Sequence, residues 1–354
     1  MNYKSVDKDA RDSGIELLRI LATISVIILH LRGEWENNVI PSTVNYYLYW
    51  CIENCCAAAV NCFLFISGYY LYSRKNLSLW KPVELYIQLV VCREVIYFIM
   101  VIVGFRQFTM YDVFIKLFPT DYYITLYIGV FLLAPYINKF IAELSGRLLR
   151  RLIVILLILL SFWPTLIDIL EDLGGMYLSG ANSISSVGSG YGQTLIHFIF
   201  IYFLGCVLKR NNIQIKSCIC VIMIIISNFI LTILCFAYLK NGIEVANIIT
   251  YSNPLLILEA GSFFILFKNI SFRSNVINLL ARGSFMTYIL HGYFLPCLSI
   301  EKIVNNNIMY VIIRMMGELC LVYLLTFMFW ILYAVTVGRI FDNMKACIKS
   351  SNIK

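Results

Sequence analysis

Residues 152–160 read LIVILLILL, and residues 221–226 read VIMIII. Uninterrupted aliphatic runs of this kind are typical of helices that face lipid rather than water. The rest of the chain agrees, since 60% of its 354 residues are hydrophobic and only 14% are charged. Soluble domains are about 45–50% apolar and about 25% charged. The composition therefore excludes a soluble enzyme, a disordered chain and a peripheral protein with one anchor.

The apolar residues fall into ten segments, and a membrane-spanning helix needs about 20 such residues. The segments are about 14–33, 44–72, 80–104, 122–143, 151–171, 193–209, 217–239, 247–267, 281–299 and 308–339. The first lacks a small-residue cleavage site after it, so we interpret it as a retained span. The sequence predicts an all-α membrane protein, a polytopic bundle of about ten transmembrane helices. We expect a single integral-membrane domain over 1–354, with no separate soluble domain.

The basic residues predict the orientation of the bundle. If the N-terminus is cytoplasmic, 21 of the 28 Lys and Arg residues fall on that side and 5 on the other. Cytoplasmic loops of membrane proteins carry such an excess of positive charge. We therefore expect both termini to be cytoplasmic. The net charge of +8 resides in these loops and forms no basic stripe with interleaved aromatics, so we expect no nucleic-acid partner.

Two histidines lie deep in predicted spans, where an ionisable group is costly unless it is paired or solvated. His30 follows Arg19 by eleven residues, about 16 Å and three helical turns, so both side chains point to nearly the same face. His291 lies at a comparable depth, which would let two imidazoles meet across a shared cavity. Imidazole exchanges protons near neutral pH. The alternatives are an interfacial anchor for Arg19, a rim position for His30 and a hydrogen-bonded core role for His291.

Other ionisable groups also fall within spans, and we expect most of them to form buried ion pairs. We expect Arg314 to pair with Glu318, four residues further along one helix. Arg93 has three expected partners, which are Glu53, Glu94 and Glu259. The alternative is a polar pocket for a sugar or an acyl carrier. In that pocket the predicted substrate-binding residues are Glu53, Glu259 and Asn61.

Several loops and small motifs complete the candidate set. Ser67-Gly68 sits in an apolar helix, where small residues permit close helix packing. The Gly/Ser-rich loop 173–192 is either a substrate lid or an inert connector. His197 is expected to be structural. The 12 cysteines lie mostly in apolar runs, so we interpret them as buried residues, and we predict no metal site.

Five motifs in order resemble a known family. They are Arg19-x10-His30, FLFISGY at 63–69, YIGVFLLAPY at 127–136, FLG at 203–205 and SFMTYILH at 284–291. With these motifs the chain resembles the acyltransferase-3 family of bacterial integral-membrane O-acyltransferases. Members of that family have ten-span cores that move acyl groups from cytoplasmic acyl-CoA to extracytoplasmic acceptors. Typical acceptors are sugar hydroxyls of surface polysaccharides.

The resemblance implies a membrane O-acetyltransferase of the bacterial cytoplasmic membrane, with His30 as the catalytic base and Arg19 as its partner. Acetyl-CoA is the implied donor, and its phosphates are expected at Arg74, Lys75 and Arg282, with Ser67 nearby. Arg93 or a protonated His291 is the expected contact for the oxyanion. The implied acceptor is a glycan, either a surface polysaccharide or a lipid-linked oligosaccharide.

The chain departs from the family in two respects. The Arg-x-x-Arg motif near the third span is replaced by Lys81-Pro82-Val83-Glu84. Many relatives also carry an extracytoplasmic esterase-like domain, which we do not expect here, so we expect this chain to act alone or to hand its acetyl group directly to the acceptor. Two other classes compete with this function, namely a transporter or flippase for a polysaccharide precursor and a non-catalytic scaffold. The sequence leaves the oligomeric state open, a homo-oligomer included.

Overall fold

The computed structural model describes residues 12–31, 35–74, 77–78, 80–118, 121–178, 190–297, 302–341 and 343–344. This part of the chain contains helices, turns and loops but no strand. The α-helices are α1 (Ser13–His30), α2 (Val44–Ala57), α3 (Ala59–Tyr72), α4 (Trp80–Ile102), α5 (Met110–Lys116), α6 (Tyr122–Glu143), α7 (Gly146–Leu157), α8 (Trp163–Asp172), α9 (Leu195–Arg210), α10 (Ser217–Lys240), α11 (Pro254–Asn269), α12 (Asn275–Leu280), α13 (Ser284–Phe294) and α14 (Ile308–Val335). The predicted all-α class is confirmed.

Seven helical stretches in the described residues are long and apolar enough to cross a membrane. They are α1, α2 with α3, α4, α6, α7 with α8, α10, and α14 extended to Phe341. Each coincides with a predicted segment. The other three predicted segments are α9, α11 and α13, which have 16, 16 and 11 residues. The protein is therefore an all-α, multi-pass membrane protein, while the count of ten spans and the side of the termini stay predictions.

Helices α3 and α9 cross with their backbones in contact. A Cβ atom on Gly68 would lie 2.1 Å from the carbonyl oxygen of Tyr202, and one on Gly205 would lie 2.6 Å from that of Phe65. Only glycine fits at either position. This explains why Gly68 sits in an otherwise bulky apolar helix, since small residues let membrane helices approach closely. The helix-packing interpretation is confirmed for Gly68.

Two hydrogen bonds of Asn138 attach α6 to the crossing of α3 and α9. The Asn138 side chain accepts a hydrogen bond from the Tyr202 hydroxyl at 2.9 Å and donates one to the Leu71 carbonyl at 3.1 Å. Hydrocarbon offers no competing partners, so such bonds hold a membrane bundle in register. Asn138 thus fixes three helices relative to one another.

The first helix lies at the centre of the bundle. It packs against α2, α3, α11 and α13, and residues such as Leu18, Ala22 and Val26 are buried there. Asp12 caps its start by accepting hydrogen bonds from the amides of Gly14 and Ile15. Because α1 touches so many helices, residues near its end face several elements at once.

The glycine crossing generates a prediction about stability. Gly205→Ala forces a methyl group against the backbone of α3 and should cost about 1–3 kcal/mol of stability, the usual price of overpacking. Gly317→Ala is the matched control, because nothing lies within 4 Å of its Cβ position in α14. The control should be neutral or stabilising by up to about 1 kcal/mol. Thermal unfolding of the full chain in detergent checks both, and equal midpoints would contradict the crossing.

Candidate active site

Two imidazoles meet where α1 ends against α13. The ring centroids of His30 and His291 are 4.8 Å apart, and the ring planes are inclined by 48°. His30 is the last residue of α1, whereas His291 lies in α13 and is 6% exposed. The predicted meeting of the two rings is confirmed. Their catalytic roles stay predictions.

The backbone of α13 fixes the tautomer of His291. Its Nδ1 lies 2.7 Å from the carbonyl oxygen of Tyr288 and 3.1 Å from that of Thr287. A carbonyl oxygen can only accept a hydrogen bond, so Nδ1 carries the hydrogen. In the neutral ring, Nε2 then holds the lone pair and is free to accept a proton. The His291 ring is thus anchored on one edge and carries its lone pair on the other.

His30 forms part of the wall of a cavity of about 290 Å³. The lining residues are Val26, Leu29, His30, Glu53, Ala57, Val60, Tyr122, Tyr191, Gln193, Ala246, Ile249, Tyr251 and Tyr288. Several of them come from the connections after α8 and after α10, at the end of the bundle where α1 finishes. The predicted topology places this end outside the cytoplasm. His30 therefore faces a small chamber with an aromatic and partly polar wall.

A buried triad supports one side of this chamber. Asn61 accepts a hydrogen bond from His197 Nε2 at 3.0 Å and donates one to the Tyr251 carbonyl at 2.9 Å. Asn61 is fully buried and does not line the cavity. It connects α3 and α9 to the segment that carries Tyr251. His197 has the structural contact that the sequence predicts, and a direct substrate contact for Asn61 stays a prediction.

Arg93 lies beside the site and is paired with an acid that the sequence analysis did not consider. Its Nη1 is 3.2 Å from Asp121 Oδ2, at the start of α6. Of the three expected partners, Glu94 interacts electrostatically with Arg93, whereas pairing with Glu53 or Glu259 stays a prediction. Asp121 also interacts electrostatically with His30, so the ion pair belongs to the surroundings of the imidazoles. Arg314 does pair with Glu318 as predicted, with Nε 2.9 Å from Oε1.

The remaining predicted residues near the chamber fall in different places. Glu53 lines the cavity. Glu259 is fully buried among cysteines, where its carboxyl group interacts with Cys55, and does not line the cavity. The Ser67 hydroxyl donates to the Phe63 carbonyl of its own helix at 2.8 Å. The proposed substrate or donor contacts of Glu259 and Ser67 stay predictions.

The opposite end of the bundle carries the predicted donor-binding cations. Arg19 forms an ion pair with Glu16 one turn earlier. Arg74 follows α3, Arg282 lies in the turn before α13, and both are exposed. Lys75 lies outside the described residues, as does most of the loop 173–192. Of that loop, residue Tyr191 reaches the cavity wall.

Two lysines that carry no functional signal in the sequence converge at this same end. The Nζ atoms of Lys209 and Lys268 lie 4.7 Å and 5.4 Å from the centroid of the Tyr69 ring. They come from the last turns of α9 and α11. In sequence each is an ordinary positive-inside residue. Only the packing of three helices brings them together over one aromatic ring.

Comparison with known proteins identifies the family to which the chain belongs. The model of the acyltransferase-3 family, described as an acyltransferase domain, matches residues 12–338. No curated protein and no solved structure matches the chain significantly. The match covers nearly the whole helical bundle, including both imidazoles and the cavity. This chain therefore belongs to the acyltransferase-3 family and is a membrane acyltransferase.

Proposed function

We propose that the protein transfers an acetyl group from cytoplasmic acetyl-CoA to a sugar hydroxyl of a surface polysaccharide or its lipid-linked precursor, in the bacterial cytoplasmic membrane. One observation carries the proposal, namely that the His30 imidazole stands in the wall of a tyrosine-rich cavity with a second imidazole 4.8 Å behind it. Such a cavity offers a hydroxyl acceptor a base and several hydrogen-bonding partners.

His30 acts as the general base. It removes the proton of the acceptor hydroxyl while the oxygen attacks the thioester carbonyl carbon. The carbon–sulfur bond then breaks, and the thiolate of CoA takes the proton back from His30. The ester and the free thiol are the products, so protons and charges balance. His291, with its Nδ1 anchored on the backbone of α13, holds a second imidazole in a fixed orientation behind His30.

The thioester oxygen gains negative charge in the transition state and needs a donor. Arg93 and a protonated His291 are our candidates. Arg93 is held beside Asp121, whose carboxylate also interacts with His30, so the guanidinium lies in the surroundings of the imidazoles. Arg19 lies about 16 Å from His30 along α1, so it serves the donor's entry path and not the reacting carbon.

The phosphates of the donor bind at the end of the bundle where α1 begins. Lys209 and Lys268 share the Tyr69 ring there, and no carboxylate is in an ion pair with either lysine among the described residues. Two cations without an acidic partner attract phosphate groups. Arg74 and Arg282 add exposed positive charge at this end.

Loss of the His30 base tests the reaction. His30→Ala should lower transfer of labelled acetyl from acetyl-CoA to cell-surface glycan by about 10²–10⁴-fold in membranes. Asn241→Ala is the control, because Asn241 is exposed and, within the described part of the chain, its side chain bonds only to the Ala237 carbonyl of α10. Both variants should unfold at the wild-type temperature. Wild-type transfer by folded His30→Ala protein would overturn the assignment, and sugar flux without any acyl donor would favour a transporter.

Removing the two lysines tests the donor site. The double variant Lys209→Ala/Lys268→Ala should raise the KM for acetyl-CoA about tenfold or more, since each charge-assisted contact is worth about 1.5–3 kcal/mol. The KM for S-acetylpantetheine, which lacks the nucleotide phosphates, should change little. Lys240 is exposed at the end of α10, on the opposite side of the bundle from the two lysines. The control Lys240→Ala should alter neither KM. Equal KM increases for both donors would contradict phosphate binding at this site.

A further inference from the structure

Four tyrosines from separate segments surround the cavity beside His30. Tyr122 begins α6, Tyr191 precedes α9, Tyr251 precedes α11, and Tyr288 lies in α13. The hydroxyls of Tyr122 and Tyr251 are hydrogen-bonded to each other at 2.9 Å. A phenol presents an apolar face and a polar tip. We call these four residues the tyrosine cage.

Tyr191 enters the cage through a strained turn. Gly190, Tyr191 and Gly192 have φ angles of 61°, 55° and 80°. A positive φ is uncommon for a bulky residue and costs about 1–3 kcal/mol, and such strain concentrates at functional sites.

Neighbouring backbone atoms hold the turn in this conformation. The Tyr251 amide donates to the Tyr191 carbonyl at 3.1 Å, and the Gln193 amide donates to the Gly190 carbonyl at 2.8 Å. A Cβ atom on Gly192 would lie 2.9 Å from the Ser252 nitrogen, so the chain passes too close for any side chain there. The surrounding structure therefore holds Tyr191 in a backbone conformation that tyrosine rarely adopts, and in this conformation Tyr191 forms part of the cavity wall.

The charge of the lining limits what the cage can bind. Glu53 is the single Asp, Glu, Lys or Arg among the lining residues that the structure describes, and Arg93 outside them is paired with Asp121. An anionic ligand would lose its hydration here, meet no Lys or Arg among the lining residues that the structure describes, and face the carboxylate of Glu53. A ligand with hydroxyls and no charge would find phenols, the Gln193 amide and His30.

The size of the cavity limits the ligand further. At about 290 Å³ it lies just below the range of about 300–1,000 Å³ that is usual for pockets of drug-sized molecules. One sugar ring suits this volume better than a length of glycan. A pyranose also has a flat C–H face for an aromatic ring and a rim of hydroxyls for polar tips.

We propose that the tyrosine cage binds a single uncharged sugar ring, stacked on Tyr191 with one hydroxyl toward His30, and that it rejects sugars bearing a carboxylate. The proposal rests on the proposed function for the identity of the acceptor as a sugar. It assigns the acceptor subsite to the tyrosine cage, with Tyr191 as the residue on which the sugar stacks and Glu53 as the residue that disfavours a carboxylate.

Binding of sugars without any acyl donor tests this proposal. The purified full chain in detergent is titrated with neutral methyl glycosides of the gluco, galacto, manno and N-acetylgluco series, followed by saturation-transfer NMR. The methyl glucuronide, galacturonide and mannuronide are the acidic counterparts. At least one neutral glycoside should bind about tenfold more tightly than its acidic counterpart, a difference of about 1.4 kcal/mol. Failure of all neutral glycosides to bind, or equal binding of an acid, would overturn the proposal.

Variants at Tyr191 separate binding from folding. Tyr191→Gly removes the ring while relieving the positive φ, so its unfolding temperature should equal or exceed that of the wild type. It should nevertheless weaken binding of the neutral glycoside about tenfold, whereas Tyr191→Phe keeps the stacking face and should retain most of the binding. Tyr111→Ala is the control, since Tyr111 is 71% exposed and lies outside the cage. Wild-type binding by Tyr191→Gly would overturn the role of the ring.

Because no acyl donor is present, these results are independent of catalysis. Sugar binding by a protein that transfers no acetyl group would refute the proposed function and leave the cage intact. Acetyl transfer by Tyr191→Gly with an unchanged KM for a neutral acceptor would refute the cage and leave the proposed function intact.

Discussion

The hydrocarbon core of a bilayer offers no hydrogen-bond partner, so each polar group that enters it must be satisfied within the protein. This constraint gathers the polar side chains of the chain toward the interior of the bundle. Asn138 joins three helices at the crossing of Gly68 and Gly205. Asn61 joins His197 to the Tyr251 segment. These contacts decide which helices touch, and they leave the aliphatic runs such as 152–160 for the lipid.

The same constraint shapes the surroundings of the two imidazoles. The anchored Nδ1 of His291 shows how a helix backbone can satisfy one nitrogen of a buried imidazole and leave the lone pair on the other. His30, at the end of α1, meets both His291 and a chamber built from the connecting segments. Helices fix the two imidazoles, and loops that approach His30 form much of the chamber wall. Changes in these loops can therefore alter the chamber without moving the imidazoles.

Hydropathy and the positions of residues along the predicted spans were sufficient to predict the helices and the meeting of the two imidazoles. Hydropathy predicts the helices, and equal depth in two spans predicts that His30 and His291 meet. The partner of Arg93 was not predictable in this way, because Asp121 lies outside the spans that were compared. Tyr191 is not predictable from the sequence, because a glycine-flanked turn gives no sign of the cavity it enters. The convergence of Lys209 and Lys268 is not predictable either, because only helix packing brings them over one ring. The lengths of α9, α11 and α13 also depend on packing, since helices buried among others need not match the bilayer thickness.

The central claim is that one bundle connects a donor on the cytoplasmic side with an acceptor on the other. Sealed proteoliposomes of known protein orientation test it directly, with a neutral methyl glycoside that the protein acetylates in detergent trapped inside and labelled acetyl-CoA added outside. Label should appear on the trapped sugar only for protein whose cytoplasmic face points outward, and only while the vesicles stay sealed during the assay. Acetylation restricted to sugar on the same side as the donor would contradict the claim.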